Sequence, residues 1–145
     1  MKTQYFAYGS NMNVNQMLAR CPGAIRGETA FLSGWSYYLN GNGYAGIEKN
    51  KGQKVYGCLW KLCEKHWYAL DRYEGVETRH YKRIKLEVEI NFSKKKENVW
   101  VYLSNNRDYG RPTQAYQNIV LQGARQLNLP VHYLKMLESW SGAGK

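Results

Sequence analysis

The residues best suited to chemistry lie near the start of the chain, where residues 5–12 are Y-F-A-Y-G-S-N-M. The aromatic run from Tyr5 to Tyr8 is typical of a buried strand. Gly9 admits backbone angles that other residues avoid, and Ser10 or Asn11 can act as the N-cap of a following helix. A strand, a tight turn and a helix start leave several backbone N–H groups pointing at one place, which suits a carboxylate or a developing oxyanion. On spacing alone, an ordinary strand-to-helix turn is the more common interpretation.

Glu74 is the second candidate, because it lies at the end of a predicted helix over residues 64–73. Trp67 and Leu70 lie on one face of this helix, and Glu74 continues that face one turn later. Gly75 is expected to end the helix, so the carboxylate should be desolvated and close to the negative end of the helix dipole. Both effects raise the pKa of a glutamate. A helix-end glutamate turned to solvent fits the same spacing equally well.

Three separated segments carry a family resemblance. The first is the Y-G-S-N loop at residues 8–11, directly after its strand. The second is L-D-R-Y-E-G-V at 70–76, and the third is P-T-Q-A-Y at 112–116 with the following helix to Pro130. In this order they resemble the N-terminal loop, the catalytic-glutamate segment and the substrate-side segment of the γ-glutamylcyclotransferase-like family (AIG2-like, BtrG-like). The three matches extend over nearly the whole chain.

The resemblance implies both a fold and a reaction. The fold is an α+β domain, with a small mixed, mostly antiparallel, curved sheet or barrel, flanking short helices and a substrate cavity at one end. The reaction is an intramolecular aminolysis, in which the free α-amine of a γ-glutamyl group attacks its own γ-carbonyl, closes 5-oxoproline and releases an amine or amino acid. No residue of the sequence decides which amine leaves. No cofactor and no metal are implied.

The resemblance also assigns roles to residues of the site. Glu74 is implied as general base and then general acid, because one carboxyl group of raised pKa can take a proton from the ammonium and return one to the departing nitrogen. The substrate-binding residues that it implies are Tyr5, Tyr8, Gly9, Ser10, Asn11 and Tyr116. Tyr102 is a weaker candidate, since a tyrosine in an aromatic strand usually belongs to the core. Ser10 stands in no recognisable motif with a His or Lys that would make it a nucleophile.

The composition predicts one domain over residues 1–145, since this length is typical of a single core. The three cysteines and three histidines show no metal-ligand spacing, so we expect reduced thiols and no metal. The chain begins with a strand-like segment rather than an apolar leader, and no run approaches the roughly 20 apolar residues of a membrane span. We therefore expect a cytoplasmic monomer or homodimer with a small-molecule γ-glutamyl substrate and no membrane or specific nucleic-acid partner.

The net charge of +10, with a pI near 9.5, generates the alternative hypothesis. A basic surface can bind nucleic acid or another polyanion, so the chain could be a non-catalytic binding module of the same fold. Many lysines fall at predicted turns and outward strand faces, which is also typical of solvated surface. The sequence contains no helix-turn-helix, zinc-finger or RNA-binding aromatic motif. The enzyme is therefore the preferred interpretation.

The periodicity of the chain predicts the elements that position these residues. Extended segments are predicted at 25–40, 44–48, 54–62, 81–92 and 99–103, with a turn at 50–53. Helices are predicted at 13–20, 64–73 and 131–140, and another follows the N-cap Thr113. The tail at 141–145 is expected to fray. Alternation within 81–92 assigns to the core face Ile84, Leu86, Val88 and Ile90.

Overall fold

Five strands and four α-helices make up the part of the chain that the computed structural model describes, residues 2–140. The strands are β1 (Thr3–Ala7), β2 (Ile25–Leu39), β3 (Ala45–Leu62), β4 (Tyr81–Ile90) and β5 (Lys96–Ser104). The helices are α1 (Val14–Arg20), α2 (Glu64–Glu74), α3 (Gln114–Gln126) and α4 (Val131–Ser139), and a short 3₁₀ turn covers Ser10–Met12. The predicted tail at 141–145 lies outside the described residues.

The strands close into a barrel in the order β1-β3-β2-β4-β5. Along this order each strand is antiparallel to the next. The closing pair, β1 with β5, is parallel and places Tyr5 opposite Trp100. The predicted α+β class, with a mixed and mostly antiparallel curved sheet, is therefore confirmed.

The long hairpin of β2 and β3 differs from its prediction. A turn was expected at 50–53, but β3 continues through these residues as one strand. Ser33 pairs with Lys54 and Trp35 with Lys49, so residues 50–53 lie opposite the single residue Gly34. The turn-forming residues are thus accommodated as an irregularity inside the hairpin, because pairing with β2 resumes on both sides of it.

Strand β4 follows its predicted alternation only in part. Val88 and Ile90 are buried, whereas Ile84 and Leu86 are partly exposed. Strand β2 contacts only the C-terminal end of β4 in the described register, where Ala30 pairs with Ile90. The first half of β4 therefore lacks this neighbour, and its core face is covered less completely.

Strand β1 is covered on both faces. Phe6 belongs to an apolar cluster that includes residues of α3 and α4, whereas Ala7 belongs to a second cluster with residues of α1 and α2. Successive side chains of a strand point to opposite faces of the sheet, so the two clusters enclose β1 from both sides. The loop that follows β1 therefore begins from a fixed strand.

Two predicted helix caps position Glu74 and Tyr116. Gly75 ends α2 in the left-handed conformation, with φ of 69°, directly after Glu74. The Thr113 hydroxyl accepts a hydrogen bond from the Tyr116 N–H at 3.1 Å and starts α3. Both local signals were read correctly from the sequence, because each depends only on a few neighbouring residues.

Helix α3 approaches the 3₁₀ turn closely at Gly123, and this contact is testable. A Cβ at Gly123 would lie 2.6 Å from the backbone nitrogen of Asn13 and 2.8 Å from the carbonyl carbon of Met12. Gly123→Ala should therefore lower the free energy of unfolding by roughly 1–3 kcal/mol, although alanine favours helix. Chemical denaturation measures the change. Gln126→Ala, at an exposed position of the same helix, is the control, and equal stability of the two variants would contradict the tight contact.

Candidate active site

The residues that the sequence singled out meet at one small pocket. The 3₁₀ turn, the end of α2 and the first turn of α3 converge there, and the pocket has a volume of about 30 Å³. Its lining consists of Tyr5, Tyr8, Gly9, Ser10, Asn11, Ala45, Glu74, Tyr81, Tyr102 and Tyr116. Every predicted site residue is among them, including the weaker candidate Tyr102. The chemical role of each remains a prediction.

The small pocket opens towards a much larger cleft of about 810 Å³. Ser10, Glu74, Tyr81 and Tyr116 line both cavities. A cavity of 30 Å³ holds no more than a few waters. A larger ligand would therefore lie across the junction, with these shared residues around it.

Gly9 is required for space. Its backbone has φ of −116° and ψ of −134°. A Cβ on Gly9 would lie 2.8 Å from the Cβ of Ala45 and 3.3 Å from the hydroxyl of Tyr116. The pocket wall at Ala45 can approach the loop only because residue 9 has no side chain.

The predicted N-cap at Ser10 or Asn11 is wrong. The 3₁₀ turn intervenes between Gly9 and α1, so the cap moves along the chain to Asn13, whose side chain accepts from the Gln16 N–H at 3.1 Å. For the backbone N–H groups of Ser10 and Asn11, the structure of residues 2–140 provides no hydrogen-bond partner. The predicted donors are therefore present, but at the start of the 3₁₀ turn.

Asn11 connects three elements through hydrogen bonds. Its side-chain amide donates to the Tyr5 hydroxyl at 3.0 Å and accepts from Nη1 of Arg20 at 2.7 Å. Its backbone carbonyl accepts from the indole N–H of Trp60 at 2.9 Å. Asn11 is buried, so losing these bonds would leave polar groups without partners. The three hydrogen bonds of Asn11 connect β1, α1 and β3 to the loop.

Glu74 presents an unpaired carboxylate to the pocket. Within residues 2–140 its side chain is partly buried and forms no hydrogen bond or ion pair. Burial raises its pKa from the ordinary value near 4.5 to about 7, and the positive charge of Arg20 acts in the opposite direction. The predicted direction of the pKa shift is confirmed. A carboxyl group of this kind can release and accept a proton near neutral pH.

No pattern in the sequence singles out Arg20 as a site residue. Besides Asn11, its guanidinium donates to the Ser10 hydroxyl at 3.3 Å and lies over the Tyr73 ring, 3.7 Å from its centre. A basic residue in the last turn of a helix usually complements the helix dipole, so its type and position gave no functional signal. Only the tertiary structure brings it towards Glu74.

Two tyrosine hydroxyls hold the peptide groups of Ala45. The N–H of Ala45 donates to the Tyr116 hydroxyl at 3.0 Å, and its carbonyl accepts from the Tyr81 hydroxyl at 2.5 Å. Tyr81 was not predicted. A signal existed in the sequence, since alternation places the aromatic Tyr81 on the face of β4 opposite the predicted core residues.

Tyr102 and Tyr8 have their hydroxyl groups engaged within the protein. Tyr8 donates to the backbone carbonyl of Tyr102 at 2.6 Å, and Tyr102 donates to the Asp71 carboxylate at 2.6 Å. Asp71 also forms an ion pair with Arg83 at 3.2 Å. These two tyrosines can therefore shape the pocket, while their hydroxyl hydrogens are already committed.

Residues 54–137 match the sequence model of the AIG2-like family. The chain belongs to this family. The matched segment includes Glu74 and Tyr116, whereas the loop at 8–11 lies before it. No group of three or more His, Cys, Asp or Glu side chains in the described part of the chain is arranged to hold a metal ion. Among residues 2–140 there is also no helix with the length and apolar character of a membrane span.

Relatives of this AIG2-like protein extend over most of the chain. It is 29% identical to the gamma-glutamylcyclotransferases of Bos taurus and Homo sapiens, in each case over 93% of this chain and 77% of the relative. A solved structure of a gamma-glutamyl cyclotransferase is 27% identical and superposes with a TM-score of 0.89, covering 97% of this chain and 88% of that chain. YkqA from Bacillus subtilis, 22% identical, shares the fold with a TM-score of 0.83 over 98% of this chain and 55% of its own.

Replacing the Glu74 carboxylate should stabilise the protein in a pH-dependent way. Because the pKa is raised to about 7 in the folded state, ionisation above that pH costs folding free energy, and the cost vanishes below the ordinary pKa near 4.5. Glu74→Gln should therefore be more stable than the parent at pH 8, by on the order of 1–2 kcal/mol after allowance for solvent screening, and by less as the pH falls to 4.

Urea unfolding at several pH values measures this difference. Glu77→Gln is the matched control, since it removes the same charge from an exposed position in the following turn. A stability gain that is equal for both variants, or absent at pH 8, would show that the Glu74 carboxylate is not desolvated.

Proposed function

We propose that this protein is a γ-glutamylcyclotransferase, which converts a γ-glutamyl group to 5-oxoproline and releases an amine or amino acid. The observation that carries the proposal is the Glu74 carboxyl group, with a pKa raised to about 7, beside the unpartnered N–H groups of Ser10 and Asn11. The names of the relatives and membership of the AIG2-like family support the same reaction.

The proposed reaction needs one proton acceptor that later becomes a donor. The α-ammonium of the substrate loses a proton to Glu74, and its nitrogen then forms a bond to the γ-carbonyl carbon. The C–N bond of the γ-amide breaks as the leaving nitrogen takes this proton from Glu74. The new ring nitrogen then gives its remaining extra proton to the regenerated Glu74 carboxylate, which passes it to the released amine, so the products are the lactam and an ammonium ion. A group with a pKa near the working pH suits both steps. Arg20 contributes by keeping part of the Glu74 population ionised at neutral pH.

The loop supplies the remaining chemistry. Ring closure is already intramolecular, so the protein has to fix the reacting conformation and stabilise developing charge. The N–H groups of Ser10 and Asn11 can donate to oxygen atoms of the glutamyl group at the junction of pocket and cleft. The Ser10 hydroxyl accepts from Arg20, and no His or Lys contacts it within residues 2–140, which argues against a covalent intermediate. In the proposed complex, the departing amine lies in the larger cleft, next to Glu74.

Gly9→Val should abolish turnover while the protein remains folded. The added side chain would force Gly9 away from Ala45 and the Tyr116 hydroxyl, and this displaces the backbone donors from the pocket. Release of 5-oxoproline and binding of a non-cyclisable γ-glutamyl analogue are both expected to be lost. Thermal unfolding serves as the control for folding, and a folded Gly9→Val protein with parental turnover would mean that the loop only connects β1 to α1.

Glu74→Gln should lower turnover by roughly 10²-fold or more, the usual scale for a positioned acid–base group. Glutamine keeps the shape of the side chain but cannot accept the ammonium proton. Binding of the non-cyclisable analogue should survive, because the loop amides are unchanged. The measurement is 5-oxoproline released from a panel of γ-glutamyl compounds, with Glu77→Gln as the control.

Two results of this assay would contradict the proposal. Turnover by Glu74→Gln at the parental rate would show that Glu74 is not the acid–base group. Absence of 5-oxoproline with every compound in the panel would overturn the enzymatic function as a whole.

A further inference from the structure

Two arginines line the outer part of the large cleft without an anionic partner. Arg79 comes from the turn after α2, and Arg107 comes from the loop after β5. Within residues 2–140, neither guanidinium forms an ion pair or a hydrogen bond. Asp108 is the single acidic side chain besides Glu74 among the described residues that line this cleft. The cleft beyond Glu74 is therefore predominantly positive.

The backbone that carries Arg79 is fixed next to Glu74. The N–H of His80 donates to the carbonyl of Gly75 at 2.9 Å, so the turn folds back onto the end of α2. Arg79 has a φ of 65°, which is unfavourable for a residue with a side chain. Its carbonyl accepts from the side-chain amide of Asn105 at 2.8 Å, and this bond joins the turn to the loop after β5.

The backbone around Arg107 is held in a similar way. The carbonyl of Asn106 accepts from the Tyr38 hydroxyl at 2.9 Å, and its side-chain oxygen accepts from the N–H of Asp108 at 3.0 Å. Both arginines thus extend from anchored backbone towards one cleft. Guanidinium groups bind carboxylates through paired, charge-assisted hydrogen bonds, so this arrangement suits an acidic ligand.

A second cavity continues the positive surface. It has a volume of about 360 Å³ and shares Asn105 and Arg107 with the large cleft. Lys49 and Lys82 also line it. Among its described lining residues Glu48 is the one acid, and Glu48 already accepts a hydrogen bond from the Tyr109 hydroxyl.

We infer that the outer cleft is a subsite for an acidic leaving group, with Arg79 binding a carboxylate close to the scissile amide and Arg107 binding a more distal one. This inference rests on the proposed γ-glutamylcyclotransferase reaction. The substrate class is γ-glutamyl compounds whose leaving amine is an acidic amino acid or the start of a γ-linked glutamate chain. Cationic leaving amines are disfavoured by the same charges.

Three matched substrates separate the two carboxylates. γ-Glutamyl-glutamate carries both, γ-glutamyl-glutamine lacks the distal one, and γ-glutamyl-glutaminamide lacks both. Removing each carboxylate should lower kcat/KM for 5-oxoproline release by roughly tenfold, which corresponds to one charge-assisted contact. In Arg107→Gln the kcat/KM for γ-glutamyl-glutamate should fall to nearly that for γ-glutamyl-glutamine. In Arg79→Gln the kcat/KM for γ-glutamyl-glutamine should fall to nearly that for γ-glutamyl-glutaminamide.

A general positive field must be distinguished from these local contacts, because the chain carries a net charge of +10. Lys95→Gln removes one charge in the turn between β4 and β5, away from both cavities, and should leave both ratios as in the parent. Thermal unfolding reports whether each variant is folded. The comparison of the three substrates on the parent protein needs no variant.

The outcomes separate the inference from the proposed function. If none of the substrates yields 5-oxoproline, the proposed function is wrong, and the subsite inference falls with it. Equal kcat/KM for all three substrates would overturn the acidic subsite while leaving the cyclotransferase reaction intact. If the kcat/KM ratios between the three substrates are unchanged in both arginine variants, the overall charge of the protein explains these ratios. This result would also overturn the inference of an acidic subsite.

Discussion

The hydrogen bonds of the buried Asn11 are the constraint on which the site depends. They connect the strand before the loop, the helix after it and the long strand β3, so the loop has one position relative to all three. Arg20 is brought to the site by the same residue. The distance between the loop amides and the Glu74 carboxylate is thereby set by the packing of the barrel rather than by the loop alone.

The protonation of Glu74 results from two opposing effects, and burial is the larger. Arg20 would lower the pKa further if it paired with Glu74 directly, but its guanidinium is engaged with Asn11, Ser10 and the Tyr73 ring. The positive charge of Arg20 therefore acts on the Glu74 carboxyl group across the cavity, without a hydrogen bond between the two side chains. A carboxylate in a direct ion pair would remain ionised and would be a poor proton donor to a leaving amine.

The sequence predicted those parts of the structure that depend on neighbouring residues. The strand–turn pattern before α1, the stop at Gly75 and the extended segment at 99–103 are local signals, and the structure contains all three. Arg20 reaches the cleft and Ala45 the pocket through barrel closure and helix packing, for which no local pattern exists. The expected turn at 50–53 does not end the strand, since pairing with β2 continues on both sides of it, while Gly52 keeps a positive φ of 88° inside the irregularity.

The parallel pairing of β1 with β5 has a consequence for folding. Tyr5 faces Trp100, so the contact that closes the barrel joins residues that are far apart in the chain. Contacts of large sequence separation form slowly, because a long loop must be ordered before they bring any gain. The loop at 8–11 is anchored without β5, since Asn11 bonds to Tyr5, Arg20 and Trp60, whereas the Tyr8 hydroxyl finds its acceptor, the carbonyl of Tyr102, only in the closed barrel. The pocket lining that includes Tyr102 is therefore complete only after closure, and a chain that ends before β5 has no closed barrel to support it.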